Sequence, residues 1–149
     1  MPQKIIEQTY VALDLETTGL SPETDVIMEI GAVKFRNGQT IDTFQSLVNP
    51  HRTIPFNIQR LCHIYQADVK SAPDLSDIAA DFKSFVEDFP VVGHNISFDM
   101  SFLQRVGICT RNHMFDTLSM TKMLLPQATD RSLASVIEYL DIPHSAAHR

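Results

Sequence analysis

Apolar and polar positions along the first third of the chain follow the pattern of an antiparallel sheet. A short β-prone run covers 9–15, and two longer runs, 27–35 and 40–48, flank the dipeptide Asn37-Gly38. Asn-Gly between two apolar runs is a strong signal for a tight hairpin. The pattern therefore predicts three strands, the last two joined by that hairpin.

The middle of the chain predicts helix rather than strand. Region 50–71 shows no clean period and is interpreted as a loop with one short helix around 56–62. From Leu75 to Phe89 apolar residues recur at helical spacing with acidic residues between them, which predicts an amphipathic helix that Pro90 ends. The short apolar run 91–93 then predicts a fourth strand.

Helices dominate the rest of the pattern. They are predicted at 97–106, with Asn95 or Ser97 able to cap the first turn, at 117–125 with Asp116 as N-cap, and at 132–140. A hairpin followed by helices alternating with strands predicts a mixed α/β domain around one sheet.

Composition narrows the class of protein. A chain of 149 residues and 16.8 kDa predicts one domain. Twelve Lys and Arg against eighteen Asp and Glu give a formal charge of −6, which argues against a broad basic surface for nucleic acid. Two distant cysteines, and no apolar segment of signal-peptide or membrane-spanning length, predict a cytoplasmic protein without membrane contact.

Two acids at the end of the first strand are the first candidates for chemistry. Side chains alternate along a strand, so Asp14 and Glu16 share one face, about 7 Å apart, while Leu13 and Leu15 point to the other. In a central strand the two carboxylates would be partly desolvated and would repel each other unless a cation compensated. The alternative for an isolated Asp-x-Glu is a strand end that emerges into solvent.

Further polar groups follow two strands. Thr17-Thr18-Gly19-Leu20 turns the chain beside the acids and offers hydroxyl and N–H groups, although Thr and Gly are also common in ordinary turns. Asp99 falls in the first turn of the helix after the fourth strand, where an acid also suits the helix dipole. In α/β folds such positions can converge, and three carboxylates suit Mg²⁺ or Mn²⁺ rather than zinc.

A histidine near the last residue completes the candidate set. A neutral imidazole at His148 can act as a general base near pH 7. The alternative is a solvated terminal histidine without a catalytic role.

Several of these segments, taken together, resemble the DEDDh 3′-to-5′ exonucleases, a family that includes the proofreading epsilon subunit of bacterial DNA polymerase III and RNase T. The matching segments are Asp14-Leu-Glu16-Thr17-Thr18-Gly19-Leu20, Met28-Glu29-Ile30-Gly31-Ala32-Val33, Val92-Gly93-His94-Asn95-x-x-Phe98-Asp99-x-x-Phe102-Leu103, Asp116-Thr117-Leu118 and His148-Arg149. The resemblance runs from about Tyr10 to the last residue.

The resemblance implies a ribonuclease H-like fold, a mixed five-stranded sheet flanked by helices, with a fifth strand near 112–115 that the pattern alone does not establish. It implies that Asp14, Glu16 and Asp99 bind two divalent ions, Mg²⁺ or Mn²⁺, and that His148 takes a proton from the attacking water. It also implies a pocket for the terminal nucleotide of a DNA 3′ end, lined by Thr17, Thr18, Leu20, His94, Asn95 and Phe98.

Two departures from the family pattern affect the expected activity. The family's last acid lies five residues beyond the histidine, whereas this sequence ends one residue beyond His148. We therefore expect a single exonuclease domain, 1–149, that lacks its last helix by truncation, binds metal weakly and cleaves poorly. Cys62 and His63 stand where many relatives have histidine and glycine, which leaves either an altered substrate preference or simple drift of a surface loop.

The leading hypothesis is a DNA exonuclease that acts on single-stranded or frayed 3′ ends and releases 5′-mononucleotides, with a polymerase or helicase as a partner. One alternative is an exoribonuclease of the RNase T or oligoribonuclease type, because the catalytic motifs do not separate DNA from RNA. A catalytically weak module of a polymerase or helicase is the other. The three acids argue against that module, since they repel each other without metal and add nothing to a purely structural core.

Overall fold

The computed structural model describes residues 7–109 and 111–143. Within these ranges five strands form one mixed sheet in the order β3-β2-β1-β4-β5. The strands are β1 (Tyr10–Thr17), β2 (Ile27–Arg36), β3 (Gln39–Leu47), β4 (Val91–Gly93) and β5 (Met114–Asp116). The first three are antiparallel, and β4 and β5 join β1 as parallel strands. The predicted ribonuclease H-like fold is confirmed, and β5 supplies the strand that the sequence pattern left unestablished.

The hairpin between β2 and β3 forms where the sequence predicts it. Asn37 and Gly38 both have positive φ, 54° and 72°, and Arg36 pairs with Gln39 across the turn. Two successive positive φ angles are what a tight right-twisted hairpin requires, and Asn-Gly adopts them at little cost. The β1 strand pairs with β2 on one side and with β4 on the other, so it lies at the centre of the sheet.

Six helices lie within the described residues: α1 (Phe56–Cys62), α2 (Gln66–Val69), α3 (Leu75–Val86), α4 (Ile96–Arg105), α5 (Thr117–Leu124) and α6 (Leu133–Tyr139). The α2 helix is a short element that the sequence pattern missed. It packs Val69 into a small apolar cluster with Met28, Ile54 and Ile64.

One predicted helix end is wrong, and one predicted cap residue lies in place without its side-chain bond. The α3 helix ends at Val86, three residues before Phe89, because Glu87 takes φ 51° and its N–H bonds the carbonyl of Lys83. The chain must leave the helix there, since the Pro90 carbonyl already accepts the N–H of Val11 at 3.0 Å. At α4, Asn95 holds the N-cap position in a left-handed conformation and its side chain forms no capping bond, while Ser97 lies inside the helix.

The main core lies between one face of β1 and the helices α3 and α4. Val11, Leu13 and Leu15 point into it and meet buried side chains of the two helices, among them Phe82, Val86, Met100 and Leu103. Burial of these large apolar side chains fixes α4 against β1. Every helix in the described part of the chain is too short or too polar to cross a bilayer.

Candidate functional site

The two acids of β1 lie on the sheet face opposite the main core. Leu13 and Leu15 are each 5% exposed, whereas Asp14 is exposed and Glu16 is half-buried. Partial desolvation was expected of both acids on a central strand, and Asp14 is the more exposed of the two. The strand is central, but its second face is open at this position.

Asp99 is the desolvated carboxylate of the set. It lies in the first turn of α4, is 5% exposed, and its Oδ1 accepts the backbone N–H of Leu15 at 3.0 Å. Because β4 pairs with β1 only at Val11 and Ala12, the amide of Leu15 lies beyond the last strand partner on that side. Asp99 supplies the acceptor that a buried amide needs, and it thereby comes to lie beside Asp14 and Glu16.

The electrostatics of Asp99 reflect this arrangement. Burial raises the pKa of its carboxyl to about 7, the hydrogen bond from Leu15 works in the opposite direction, and the charges on Asp14 and Glu16 raise the pKa further. Near neutral pH the metal-free carboxyl is therefore partly protonated. A cation placed among these groups would relieve both the desolvation and the mutual repulsion.

Glu16 has two neighbours outside the predicted set of site residues: Glu29, which sequence reasoning did not assign to the site, and Cys62, which it noted only as a departure from the family pattern. Glu29 is its cross-strand partner on β2, is 8% exposed and accepts the side-chain amide of Gln45 at 2.9 Å. Cys62, at the end of α1, donates its thiol to the Glu16 carboxylate. Burial, that bond and the charges of the surrounding acids raise the pKa of the Cys62 thiol to about 12. Glu29 is an acid in the middle of an apolar strand, and this position was the sequence signal that could have assigned it to the site.

The turn after β1 uses its hydroxyl groups internally. The Thr17 hydroxyl donates to the carbonyl of Gly19 at 2.7 Å, and that of Thr18 bonds Asp25 at 3.2 Å and also accepts the N–H of Val26. These hydroxyls therefore bond within the turn, and their contact with a nucleotide stays a prediction. Leu20 is different, because its apolar side chain is 83% exposed.

The segment before α4 is bonded to the start of α5. One nitrogen of His94, Nδ1, lies 3.0 Å from the Thr117 hydroxyl, and Nε2 lies 2.7 Å from the Arg131 carbonyl. The N–H of Asn95 donates to Asp116 Oδ1 at 2.8 Å. Both ring nitrogens of His94 are thus committed to protein partners, which leaves none of them for a nucleotide.

Phe98, the last predicted pocket residue, is half-buried in the first turn of α4, and its ring lies 5.2 Å from that of Phe102. A cavity of about 610 Å³ opens over the sheet face that carries Asp14. Its lining includes Ala12, Asp14, Gly31, Val33, His94, Thr117 and Leu133.

The donor set fits a hard divalent cation. Among the described residues the candidate ligands are three carboxylates, which match the oxygen ligands of Mg²⁺ or Mn²⁺. Among the described residues no three His, Cys, Asp or Glu side chains already converge as a metal centre. Asp14 and Glu16 lie near enough to Asp99 for their charges to act on its carboxyl. His148 lies outside the described residues.

Most of the chain matches the model of one protein family. The family model described as Exonuclease, of the RNase T type, matches residues 11–149. The chain belongs to this exonuclease family. The matched region contains all of the described sheet except Tyr10, together with the acids, the turn after β1 and the cavity.

Relatives of this exonuclease domain include two bacterial DNA polymerases. It is 37% identical over 149 residues to the PolC-type DNA polymerase III of Bacillus subtilis (strain 168), which covers 96% of this chain and 10% of the polymerase. It is 36% identical over 152 residues to the same type of polymerase from Oceanobacillus iheyensis, covering 99% and 11%. The chain therefore spans about a tenth of the length of the curated relatives it matches.

Solved exonucleases share the fold. Exonuclease X in complex with 5′ overhanging duplex DNA superposes with a TM-score of 0.76 at 23% identity, covering 94% of this chain and 81% of that one. The zinc-bound form of an E. coli exonuclease I complex with single-stranded DNA superposes with a TM-score of 0.79 at 17% identity, covering 95% and 37%.

Proposed function

We propose that this exonuclease domain removes nucleotides one at a time from the 3′ end of single-stranded or frayed DNA and releases 5′-mononucleotides. The bond from Leu15 to Asp99 carries the proposal, because it brings an acid from α4 beside the two acids of β1. An asparagine would accept the same Leu15 N–H without a buried charge, so a purely structural domain gains nothing from a carboxyl here, whose burial raises its pKa to about 7.

Asp14, Glu16 and Asp99 are the residues that would hold the metal. Two divalent ions, Mg²⁺ or Mn²⁺, would when bound activate the water and stabilise charge on the leaving 3′ oxygen. Asp14 is exposed and therefore accessible to the end of a DNA strand, while the hydrogen bond from the Leu15 N–H fixes the Asp99 carboxyl in place. His148 would accept the proton of the attacking water.

The terminal nucleotide is proposed to bind between the turn after β1 and the start of α4. Leu20 offers an exposed apolar surface to a base, and Phe98 offers an aromatic ring. Thr17, Thr18 and Asn95 would shape the pocket through their backbone, since the threonine hydroxyls already bond within the turn. His94 would contribute to the wall rather than donate or accept a bond.

The acidic composition is compatible with this proposal. An enzyme that holds only one strand end needs contact at few phosphates, so a wide basic surface is not required. The relatives of PolC type support a DNA polymerase as partner, with a helicase as the other possibility considered from the sequence. A cytoplasmic location, where the unpaired thiols of Cys62 and Cys109 stay reduced, belongs to the same proposal.

A 5′-labelled single-stranded DNA oligonucleotide tests the reaction. With Mn²⁺ we expect products that shorten from the 3′ end, and a loss of rate of at least about 10²-fold in Asp14→Asn and Asp99→Asn. Asp42→Asn is the matched control, because it removes one exposed carboxylate from β3 of the same sheet. Cleavage within the strand, or equal rates in all variants, would contradict the proposal.

A matched RNA oligonucleotide tests the substrate. The DNA hypothesis predicts faster shortening of the DNA strand at equal concentration. A strong preference for RNA would replace it with the exoribonuclease alternative, without changing the roles of the three acids.

A further inference from the structure

The Asp116-Thr117 pair has no part in the proposed chemistry, yet it contacts the site through several bonds. Asp116 Oδ1 accepts two backbone N–H groups, that of Asn95 at 2.8 Å and that of Leu118 at 3.0 Å. Its Oδ2 accepts the Ser119 hydroxyl at 2.8 Å. One carboxylate therefore caps the start of α5 and at the same time holds the residue that precedes α4.

The charge on Asp116 suits this double role. Burial acts to raise its pKa, but the bonds from Ser119 and from the backbone of Asn95 and Leu118 together hold the pKa of Asp116 below its ordinary value. The carboxylate is thus ionised at neutral pH. Charge-assisted bonds of this kind are about twice as strong as neutral ones.

Thr117 and His94 connect the same two helices to a third element. The Thr117 hydroxyl lies 3.2 Å from the Gly93 carbonyl and 3.0 Å from Nδ1 of His94. The other nitrogen of His94 reaches Arg131, 37 residues further along the chain, in the connection before α6. A carbonyl only accepts hydrogen bonds, so Nε2 of His94 donates to the Arg131 carbonyl, and the Thr117 hydroxyl donates its one proton to the Gly93 carbonyl.

The bonded set of His94, Asp116 and Thr117, here called the latch, lies beside the proposed metal ligands. It fixes the Gly93-His94-Asn95 segment, where Asn95 takes a left-handed φ of 64° without a side-chain cap of its own. Asp99 lies in the first helical turn after that segment. The latch also brings Thr117 and Leu133 to the cavity that Asp14 lines.

We propose that His94, Asp116 and Thr117 are positioning residues, which hold the start of α4 and the connection before α6 in the arrangement that presents Asp99 to a metal ion. This inference rests on the proposed function for its consequence, because only a metal-binding Asp99 makes the placement matter. The latch itself is a separate property of the metal-free chain.

Thr117→Val tests the latch, because valine keeps the shape of threonine and removes the hydroxyl. Thr117→Ser is the conservative variant that restores a hydroxyl. Thr121→Val is the matched control: Thr121 is 5% exposed, lies one turn later in α5, and its hydroxyl bonds only the Thr117 carbonyl at 2.7 Å. All three variants are compared with the unaltered chain by circular dichroism to verify folding.

Two measurements decide the outcome. In Thr117→Val we expect Mn²⁺ affinity, measured by calorimetry, to fall about tenfold, and amide hydrogen exchange at Asn95 to accelerate. Thr117→Ser restores most of both, and Thr121→Val changes neither. A purely local structural role would change the melting temperature of both valine variants and leave Mn²⁺ affinity unaltered.

The two hypotheses fail in distinguishable ways. If the unaltered chain bound no Mn²⁺, the proposed function would be overturned, and exchange at Asn95 would still decide whether the latch exists. If the unaltered chain bound Mn²⁺ and folded Thr117→Val bound it equally well, the positioning role would be wrong. Unchanged exchange at Asn95 in Thr117→Val would overturn the latch itself.

Discussion

The backbone N–H of Leu15 donates a 3.0 Å hydrogen bond to Oδ1 of Asp99, 84 residues further along the chain. Leu15 lies between Asp14 and Glu16, so one main-chain bond brings an acid from α4 into the neighbourhood of two acids on β1. The bond also leaves Asp99 almost fully buried, at 5% exposure. Burial is what makes this carboxyl different from its two neighbours.

Metal affinity is predicted to depend on pH through Asp99. Its pKa of about 7 means that a bound ion must displace a proton below neutrality. We expect Mn²⁺ affinity to rise about tenfold per pH unit below about pH 7 and to level off above it, if one proton is released. Calorimetry in buffers of different ionisation enthalpy measures both the affinity and the proton. An affinity that does not change with pH would contradict the prediction. Asp42→Asn is the control and should show the same pH dependence as the unaltered chain.

Asp99→Asn is predicted to stabilise the metal-free protein while abolishing activity. Asp99 has a pKa of about 7 in the folded chain, against an ordinary value of 3.8. Between pH 3.8 and about pH 7 the folded state therefore retains a proton on Asp99 that the unfolded state has released. The stability of the metal-free protein therefore falls as pH rises through this window and stays low above it.

The asparagine amide oxygen can still accept the Leu15 N–H without carrying a buried charge. Above pH 7 we expect a gain on the order of 1–3 kcal/mol in the free energy of unfolding, measured by urea denaturation, and little gain near pH 4. Asp42→Asn provides the comparison, since Asp42 is an exposed carboxylate on β3 of the same sheet and has no such desolvation to relieve. Equal gains at both pH values would show that Asp99 is not destabilised by its charge.

Sequence reasoning predicted the parts of the fold that local chemistry determines. The Asn37-Gly38 turn fixes the β2–β3 hairpin because both residues accept positive φ, and Asp116 caps α5 by accepting the Leu118 N–H. Helix α3 shows where this reasoning fails. The apolar spacing of α3 continues to Phe89. The helix nevertheless ends at Val86, because the Pro90 carbonyl accepts the N–H of Val11 in β1.

Sequence reasoning predicted the residue types of the site but not the burial of these residues or their hydrogen-bond partners. The spacing of Asp14 and Glu16 implied a shared strand face, whereas the burial of Asp99 depends on an amide 84 residues away. Likewise nothing local to His94 showed that Thr117 and Arg131 would take both its ring nitrogens. Long-range partners of this kind arise only when helices pack on the sheet.

His63→Gly is predicted to stabilise the fold. His63 ends α1 with φ 55° and ψ 28°, its side chain is exposed, and a residue with a Cβ atom pays for this left-handed conformation. We expect a gain of about 0.5–1 kcal/mol in the free energy of unfolding. His63→Ala loses the same side chain and keeps the Cβ, so it isolates the backbone contribution. Equal stability of the glycine and alanine variants would show that the conformation carries no strain.

Gly93→Ala is predicted to destabilise the protein beside the site. A Cβ at this position would lie 2.6 Å from Cδ1 of Ile96 and 3.0 Å from the backbone carbonyl of Leu13. Ile96 is buried and the Leu13 carbonyl belongs to the central strand, so neither can move away freely. We expect a loss of about 1–3 kcal/mol in the free energy of unfolding, measured by urea denaturation.

Gly31→Ala is the matched control for that substitution, since Gly31 also lines the cavity and also lies in the sheet. Its added Cβ would meet only the Asp14 carbonyl, at an ordinary contact distance of 3.7 Å. We therefore expect the stability of Gly31→Ala to stay within about 0.5 kcal/mol of the unaltered chain. If Gly93→Ala were tolerated equally well, β4 and α4 would have to be free to separate, and the close approach that places Asp99 beside Leu15 would not be rigid.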